Sequence, residues 1–180
     1  PTSPTCNSRC VGCISYQPKD HDICSSQNRI TFVPTPEEIA EIAVEHLNTA
    51  PNPVVSFGQG CEGEPLLVWE TIREAIKLIR SKTQKGIINL NTNASKPEAV
   101  EELCKAGLQS IRVSMNSAQE KNYQKYYNPT NYSFADVMKS IQIARKYNRW
   151  VSVNYFVFPG YTDEKNEIQA LKNLIRDYDI

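Results

Sequence analysis

The sequence predicts an α/β protein, a partial (β/α) barrel built on parallel strands. Three observations carry this expectation. Short β-rich runs alternate with amphipathic helical stripes along most of the chain. Capping and turn residues stand between them, and each pair of successive strands is separated by a crossover of helical length. Such crossovers are right-handed and place the strands they join side by side and parallel.

The elements can be justified in chain order. Thr35-Pro36-Glu37-Glu38 is a capping box with proline at the first helical position, followed by Ile39, Ile42, Ala43 and Leu47 at helical spacing. Residues 53–58 form a β-rich run closed by Gly58. Residues 67–82 then read as a helix with Ile72, Ile76 and Ile79 on one face. Residues 86–92 give a second strand. Ser95-Lys96-Pro97-Glu98 opens a helix that turns Val100, Leu103 and Cys104 inward and stops at Gly107. Residues 110–115 are the third strand. Residues 118–129 are polar and rich in tyrosine, and read as helix and loop outside the core. A helix over 133–147 carries Phe134, Val137, Met138, Ile141 and Ala144. Residues 150–158 are the fourth strand, and Thr162 is expected to cap a last helix bearing Ile168, Leu171, Leu174 and Ile175.

The chain of 180 residues fits one domain, residues 1–180, and can bury a core without disulfides. The reading starts at a cysteine loop with no strand before it and ends where a strand should follow, so the domain is expected to be incomplete at both ends. Lys plus Arg and Asp plus Glu balance at 20 each, which gives no electrostatic signal for nucleic acid or an anionic membrane. No apolar run is long enough to span a bilayer, and residues 1–5 lack the apolar stretch of a signal peptide. A cytoplasmic location is the expectation.

The six cysteines are unevenly placed: Cys6, Cys10 and Cys13 crowd one loop, while Cys24, Cys61 and Cys104 are scattered. Clustering favours a metal site over a disulfide framework. Three thiolates spaced C-x3-C-x2-C can hold three irons of a [4Fe–4S] cube, leaving the fourth with an open position for a chelating ligand. Two other readings stand beside this one. A zinc site could recruit Cys24 as a fourth ligand, although zinc modules usually use two cysteine pairs. The cysteines could also be unmetallated. A non-catalytic module, with zinc or a cluster only stapling the loop, is the corresponding alternative function.

The C-x3-C-x2-C loop followed by βα repeats resembles the radical S-adenosylmethionine (SAM) superfamily, and the likeness extends through the chain in order. Cys61-Glu62-Gly63-Glu64-Pro65 is similar to the family's Gly-Gly-Glu-Pro segment, and Asn91-Thr92-Asn93-Ala94 to its Thr-Asn-Gly. Arg112-Val113-Ser114-Met115-Asn116-Ser117 resembles its Ser-Leu-Asp. Phe158-Pro159-Gly160-Tyr161-Thr162-Asp163 resembles its Pro-Gly-x-x-Asp. Within the superfamily the tone is that of molybdenum-cofactor biosynthesis protein A and the peptide-modifying enzymes.

The resemblance implies a fragment of a six-stranded core and an enzyme that binds a [4Fe–4S] cluster and SAM. That enzyme would cleave SAM reductively to a 5′-deoxyadenosyl radical and abstract hydrogen from a substrate that stays unidentified. By the same resemblance Cys6, Cys10 and Cys13 would ligate the cluster. Gly63 and Glu64 would meet the methionyl amine, Ser114 would contact SAM, and Asn93 and Asn154 would bond the ribose or the substrate. An electron donor such as flavodoxin or ferredoxin is the implied partner. Two departures stand out. Gly12 occupies the position of an aromatic residue usual before the third cysteine, so its backbone would reach the adenine and Tyr16 would offer the stacking surface. Glu62 and Asn116 stand where the family has Gly and Asp. Tyr123, Tyr126 and Tyr127 suit either a substrate mouth or amphipathic packing. Cys24 and Cys61 are open, Cys104 reads as a buried thiol, and His21 and His46 as a polar loop residue and a helix flank.

Overall fold

Four strands, Val54–Phe57 (β1), Ile87–Thr92 (β2), Ser110–Met115 (β3) and Trp150–Tyr155 (β4), lie side by side in that order, all parallel, in the computed structural model, which describes residues 1–18 and 22–180. His21 lies outside the described residues. The sheet is open, with β1 and β4 at its edges. The helices are Pro36–Thr49 (α1), Trp69–Lys82 (α2), Pro97–Ala106 (α3), Glu120–Tyr127 (α4), Phe134–Lys146 (α5) and Lys165–Tyr178 (α6). The α/β barrel fragment expected from the sequence is therefore present as four parallel strands with helical crossovers.

Strand alternation decides where the core sits. Phe57, Ile88, Leu90, Ile111, Val113, Met115 and Val151 point to one face and are buried there against the helices. Ile72, Ile76 and Ile79 of α2 are fully buried on that side, each contributing roughly 1.5–3 kcal/mol of transfer free energy. The opposite face carries Ser56, Asn89, Asn91, Ser110, Arg112, Ser114, Ser152 and Asn154, and no helix covers it among the described residues.

Several elements differ from expectation. Residues 65–68 form a 3-10 turn before α2, because Pro65 starts the turn and the Glu64 carboxylate caps it through the Leu66 amide at 3.0 Å. β4 ends at Tyr155, not at Phe158: the next residue, Phe156, makes a last bond from its N to Met115 O at 3.1 Å, and β3 itself ends at Met115. Thr162 does not cap α6, whose N-cap is Glu164. Its hydroxyl instead closes a tight turn, accepting from Phe158 N at 2.6 Å and donating to Phe156 O at 3.1 Å. Residues 118–129 contribute to the core after all. Tyr123 and Tyr127 of α4 are buried and stacked at 4.6 Å between ring centroids. Ile42, expected inward, is 76% exposed, and Ala40 takes its place against the core.

Candidate functional site

The cysteine loop is laid over the carboxyl ends of the strands, the end where parallel sheets place ligands. Asn93, just beyond β2, anchors it. Its amide donates to Asn7 Oδ1 at 2.9 Å and to Ser8 Oγ at 3.0 Å, while its carbonyl accepts from Ser95 N at 3.0 Å. From the other side, Arg9 N donates to Tyr127 O and Val11 N to Tyr126 O, each at 3.0 Å. The Asn93 side chain is thus engaged by protein, and acts as a strut between loop and sheet.

The loop brings Cys6, Cys10 and Cys13 to a single recess of about 160 Å³, shared with Ser15, Arg29, Gly63 and Glu64. Burial pushes the Cys10 thiol up to about 12, and the neighbouring Cys6 and Cys13 push the same way. Cys6 is raised too, chiefly by burial. Cys13 is less deeply placed: burial raises it, but Ser15 and the Arg29 guanidinium, 3.6 Å from its sulfur, outweigh burial and lower it. All three sulfurs line the same recess, so the loop does bring them together. Among the described residues, however, no three His, Cys, Asp or Glu side chains close around a single ion. Cys24 is exposed and does not line the recess.

The opposite wall is the loop after β1. Gly63 N donates to Ser3 O at 2.6 Å and Glu64 N to Thr5 O at 2.7 Å, so the N-terminal segment runs against this loop. A β-carbon on Gly63 would lie 1.8 Å from Thr5 O, so only glycine permits the approach. The Glu64 carboxylate is buried, accepting from Asn93 N at 2.8 Å, from Leu66 N at 3.0 Å and from the Thr92 hydroxyl. Burial nonetheless raises its pKa to about 7, against the lowering effect of those bonds. Glu62 is a clamp that sequence reading did not reveal. One carboxylate oxygen accepts from Thr2 N, Thr2 Oγ1 and Ser3 N, the other from Gly58 N and Gln59 N, at 2.6–3.0 Å.

Gly12 borders a second recess of about 400 Å³, walled by Tyr126, Phe156, Phe158 and Tyr161. Tyr126 and Phe156 stack at 5.7 Å. Asn116 Oδ1 is buried behind this wall without a hydrogen-bond partner among the described residues. Tyr16 does not face this recess: it is exposed, with the Arg29 guanidinium 5.3 Å above its ring. Ser114 lines the cysteine recess, and Asn154, its neighbour in register on β4, is exposed on the uncovered sheet face. The fully buried Glu167 fixes the β3–α4 loop against α6, accepting from Ser117 Oγ at 2.7 Å, Asn122 Nδ2 at 2.6 Å and Tyr155 OH at 3.2 Å.

Arg29, Ser15, Glu62 and Tyr126 are the site residues that sequence spacing could not pair with the cysteines. Cys61 is exposed, its thiol 3.6 Å from Gln27 Oε1; Cys104 is buried in the core, and His46 is exposed on α1.

A family model for the radical SAM superfamily matches residues 1–171. GTP 3′,8-cyclase of Clostridium botulinum (strain Hall) is 29% identical over 184 residues, covering 97% of this chain and 51% of the cyclase. The corresponding cyclase of Marinobacter nauticus is 29% identical over 164 residues, covering 89% of this chain and 44% of its own. The chain therefore spans about half the length of the curated relatives it matches. Among solved structures, native anSMEcpe with bound AdoMet superposes with a TM-score of 0.70 at 18% identity, covering 99% of this chain and 47% of that one. At that identity the likeness speaks for the fold.

Proposed function

The chain belongs to the radical SAM superfamily, and from that premise we propose that it forms part of the catalytic core of an enzyme holding a [4Fe–4S] cluster on Cys6, Cys10 and Cys13 with SAM beside it. The observation that carries this reading is the convergence of three thiols, Arg29 and the Gly63-Glu64 loop on one recess at the carboxyl ends of parallel strands. When bound, the cluster and SAM supply one-electron cleavage of a carbon–sulfur bond, giving a 5′-deoxyadenosyl radical that abstracts hydrogen from the substrate.

The protein's own contribution is position and charge. Arg29 favours the thiolate at Cys13, the form that binds iron. Glu64, pre-set by Asn93 N, Leu66 N and Thr92, would meet the ammonium of the methionyl group with its remaining lone pairs. Carbonyl and hydroxyl groups of Gly63 and Ser114 would complete that contact. The aromatic recess beside Gly12 suits a planar base. Asn154 faces the side from which a substrate would approach. This reading requires a one-electron donor protein of the flavodoxin or ferredoxin class. It fits a cytoplasmic setting, and no helix of the described residues is long and apolar enough to cross a membrane.

Anaerobic iron and sulfide reconstitution tests the proposal. The expected result is a broad visible absorbance, close to four irons per chain, and 5′-deoxyadenosine release on reduction with SAM. Cys10→Ala should lose all three. Stoichiometric zinc with no iron after anaerobic preparation would overturn it in favour of the stapled, non-catalytic module.

A further inference from the structure

Of the three loop thiols, Cys13 is the one whose sulfur faces side-chain donors among the described residues. We propose that Arg29, together with Ser15, sets the reduction potential of the cluster by holding two hydrogen-bond donors and a positive charge against that one ligand sulfur. Arg29 is in this sense a positioning residue that acts through Cys13. The inference rests on the cofactor reading above and adds to it the part of the protein that makes the cluster easier to reduce.

The first argument is geometry. Arg29 Nη2 donates to Cys13 Sγ at 3.6 Å and its Nε to Ser15 Oγ at 3.1 Å, while the Ser15 hydroxyl lies 3.6 Å from the same sulfur. With Nε on its oxygen, Ser15 turns its own proton either to Cys13 Sγ or to Glu62 O at 3.3 Å. An anionic sulfur takes that proton in preference to a neutral carbonyl. The Tyr16 ring backs the guanidinium, 5.3 Å from its central carbon. A planar fork held at two nitrogens and stacked on a ring loses little freedom when it meets its acceptor.

The second argument is charge. Among the described residues Arg29 is the one cation lining the recess, and it joins no ion pair. The two carboxylates of the recess are already engaged, Glu62 by Gly58 N, Gln59 N, Thr2 and Ser3, and Glu64 by Asn93 N, Leu66 N and Thr92. The charge of Arg29 is therefore left to the sulfurs. Three thiols and a cation are a donor set suited to a thiolate-held iron–sulfur cluster, and hydrogen bonds to the sulfurs are among the levers that set its potential.

The third argument is sign. Reduction brings one electron from a donor of the flavodoxin or ferredoxin class, with no proton taken up and no bond broken, to a site already crowded with thiolate charge. Arg29 is half-buried, so water screens it only in part. Its charge stabilises the reduced state more than the oxidised one and raises the potential. Bracing of the loop alone would act the other way: its loss would admit water, and exposure favours the more highly charged reduced state. The direction of the shift on removing Arg29 thus separates electrostatics from mere support.

The test is a redox titration of the cluster-loaded full-length protein without SAM, poised with dithionite and mediators and read by electron paramagnetic resonance, with iron per chain measured alongside. R29Q should lower the midpoint by about 59 mV, the equivalent of a tenfold change in a one-electron couple. R29K keeps the charge and loses the fork, and should recover part of that shift. S15A removes one donor and leaves the cation, and should move the midpoint in the same direction by less. An unchanged or raised midpoint in R29Q at unaltered iron content would overturn the proposal. Where R29Q takes up less iron, S15A carries the test, and an unchanged or raised midpoint there overturns it. A parent protein that binds no iron would instead sink the cofactor reading, on which this one stands.

Discussion

The Tyr126 hydroxyl stands 2.7 Å from the point where a β-carbon on Gly12 would lie. The loop residue and the α4 tyrosine are fitted to each other: the ring occupies, from a distant helix, the space a side chain at position 12 would need.

Gly12→Ala should therefore destabilise the protein by about 1 kcal/mol, the low end of the range for overpacking, because the atom it meets is the tip of a partly exposed side chain. In a Tyr126→Phe background most of that cost should vanish, because the next ring atom is 3.6 Å from the added carbon. Urea unfolding of the four members of the cycle measures the coupling. Equal costs in both backgrounds would mean that the strain lies elsewhere.

Glu62 gives a second expectation. Its carboxylate satisfies four backbone amides, those of Thr2, Ser3, Gly58 and Gln59, and is itself 4% exposed. Glu62→Ala strands these donors at a cost on the order of 3 kcal/mol. Hydrogen exchange should quicken first at Thr2 and Ser3, ahead of the β2 and β3 amides. Uniform acceleration across the sheet would argue against a local clamp.

These two residues also show what the sequence could and could not say. The strands, the capping box at Thr35, the helix beginning at Ser133 and the cysteine loop were legible, because periodicity, caps and ligand spacing are written in consecutive residues. The partners of the loop were not. Glu62 meets Thr2 across 60 positions, and Arg29 meets Cys13 across a loop with no periodicity. The α4 tyrosines misled because their polar neighbours Lys121, Gln124 and Lys125 dominate a composition reading, while only the packing of α4 on α5 buries Tyr123 and Tyr127. Asn154, expected to bond the ribose or the substrate, has no side-chain hydrogen-bond partner among the described residues and is exposed on the uncovered side of the sheet.

Glu64 sets a pH dependence in the cofactor-free protein. Burial, only partly offset by bonds from Asn93 N, Thr92 and Leu66 N, raises its carboxyl from 4.5 to about 7. Between those values the folded state binds a proton that the unfolded state has released, so stability falls as pH rises through the interval. The loss is on the order of 3 kcal/mol across the window, using about 1.4 kcal/mol per pH unit. Glu64→Gln should flatten the slope while lowering stability overall, since its amide sets a donor against the donors that now face the carboxylate. Urea midpoints at pH 5, 6 and 7 decide it, and a slope unchanged in the variant would assign the dependence to another group.

The three loop thiols should also differ in reactivity before any metal is bound. Cys13 is the one whose pKa is lowered, by Ser15 and Arg29 acting against burial, while burial pushes Cys10 up to about 12. Alkylation requires the thiolate. Brief iodoacetamide treatment of the cluster-free protein near neutral pH, read by peptide mass spectrometry, should label Cys13 ahead of Cys6 and leave Cys10 nearly untouched. Arg29→Ala removes both a hydrogen bond and a positive charge from the Cys13 sulfur. It should slow Cys13 labelling by about three- to tenfold without speeding Cys10. Faster Cys13 labelling in that variant would mean that Arg29 shields the sulfur sterically rather than stabilising its charge. Its contribution to iron capture would then have to be sought in the order of the loop instead of in its electrostatics.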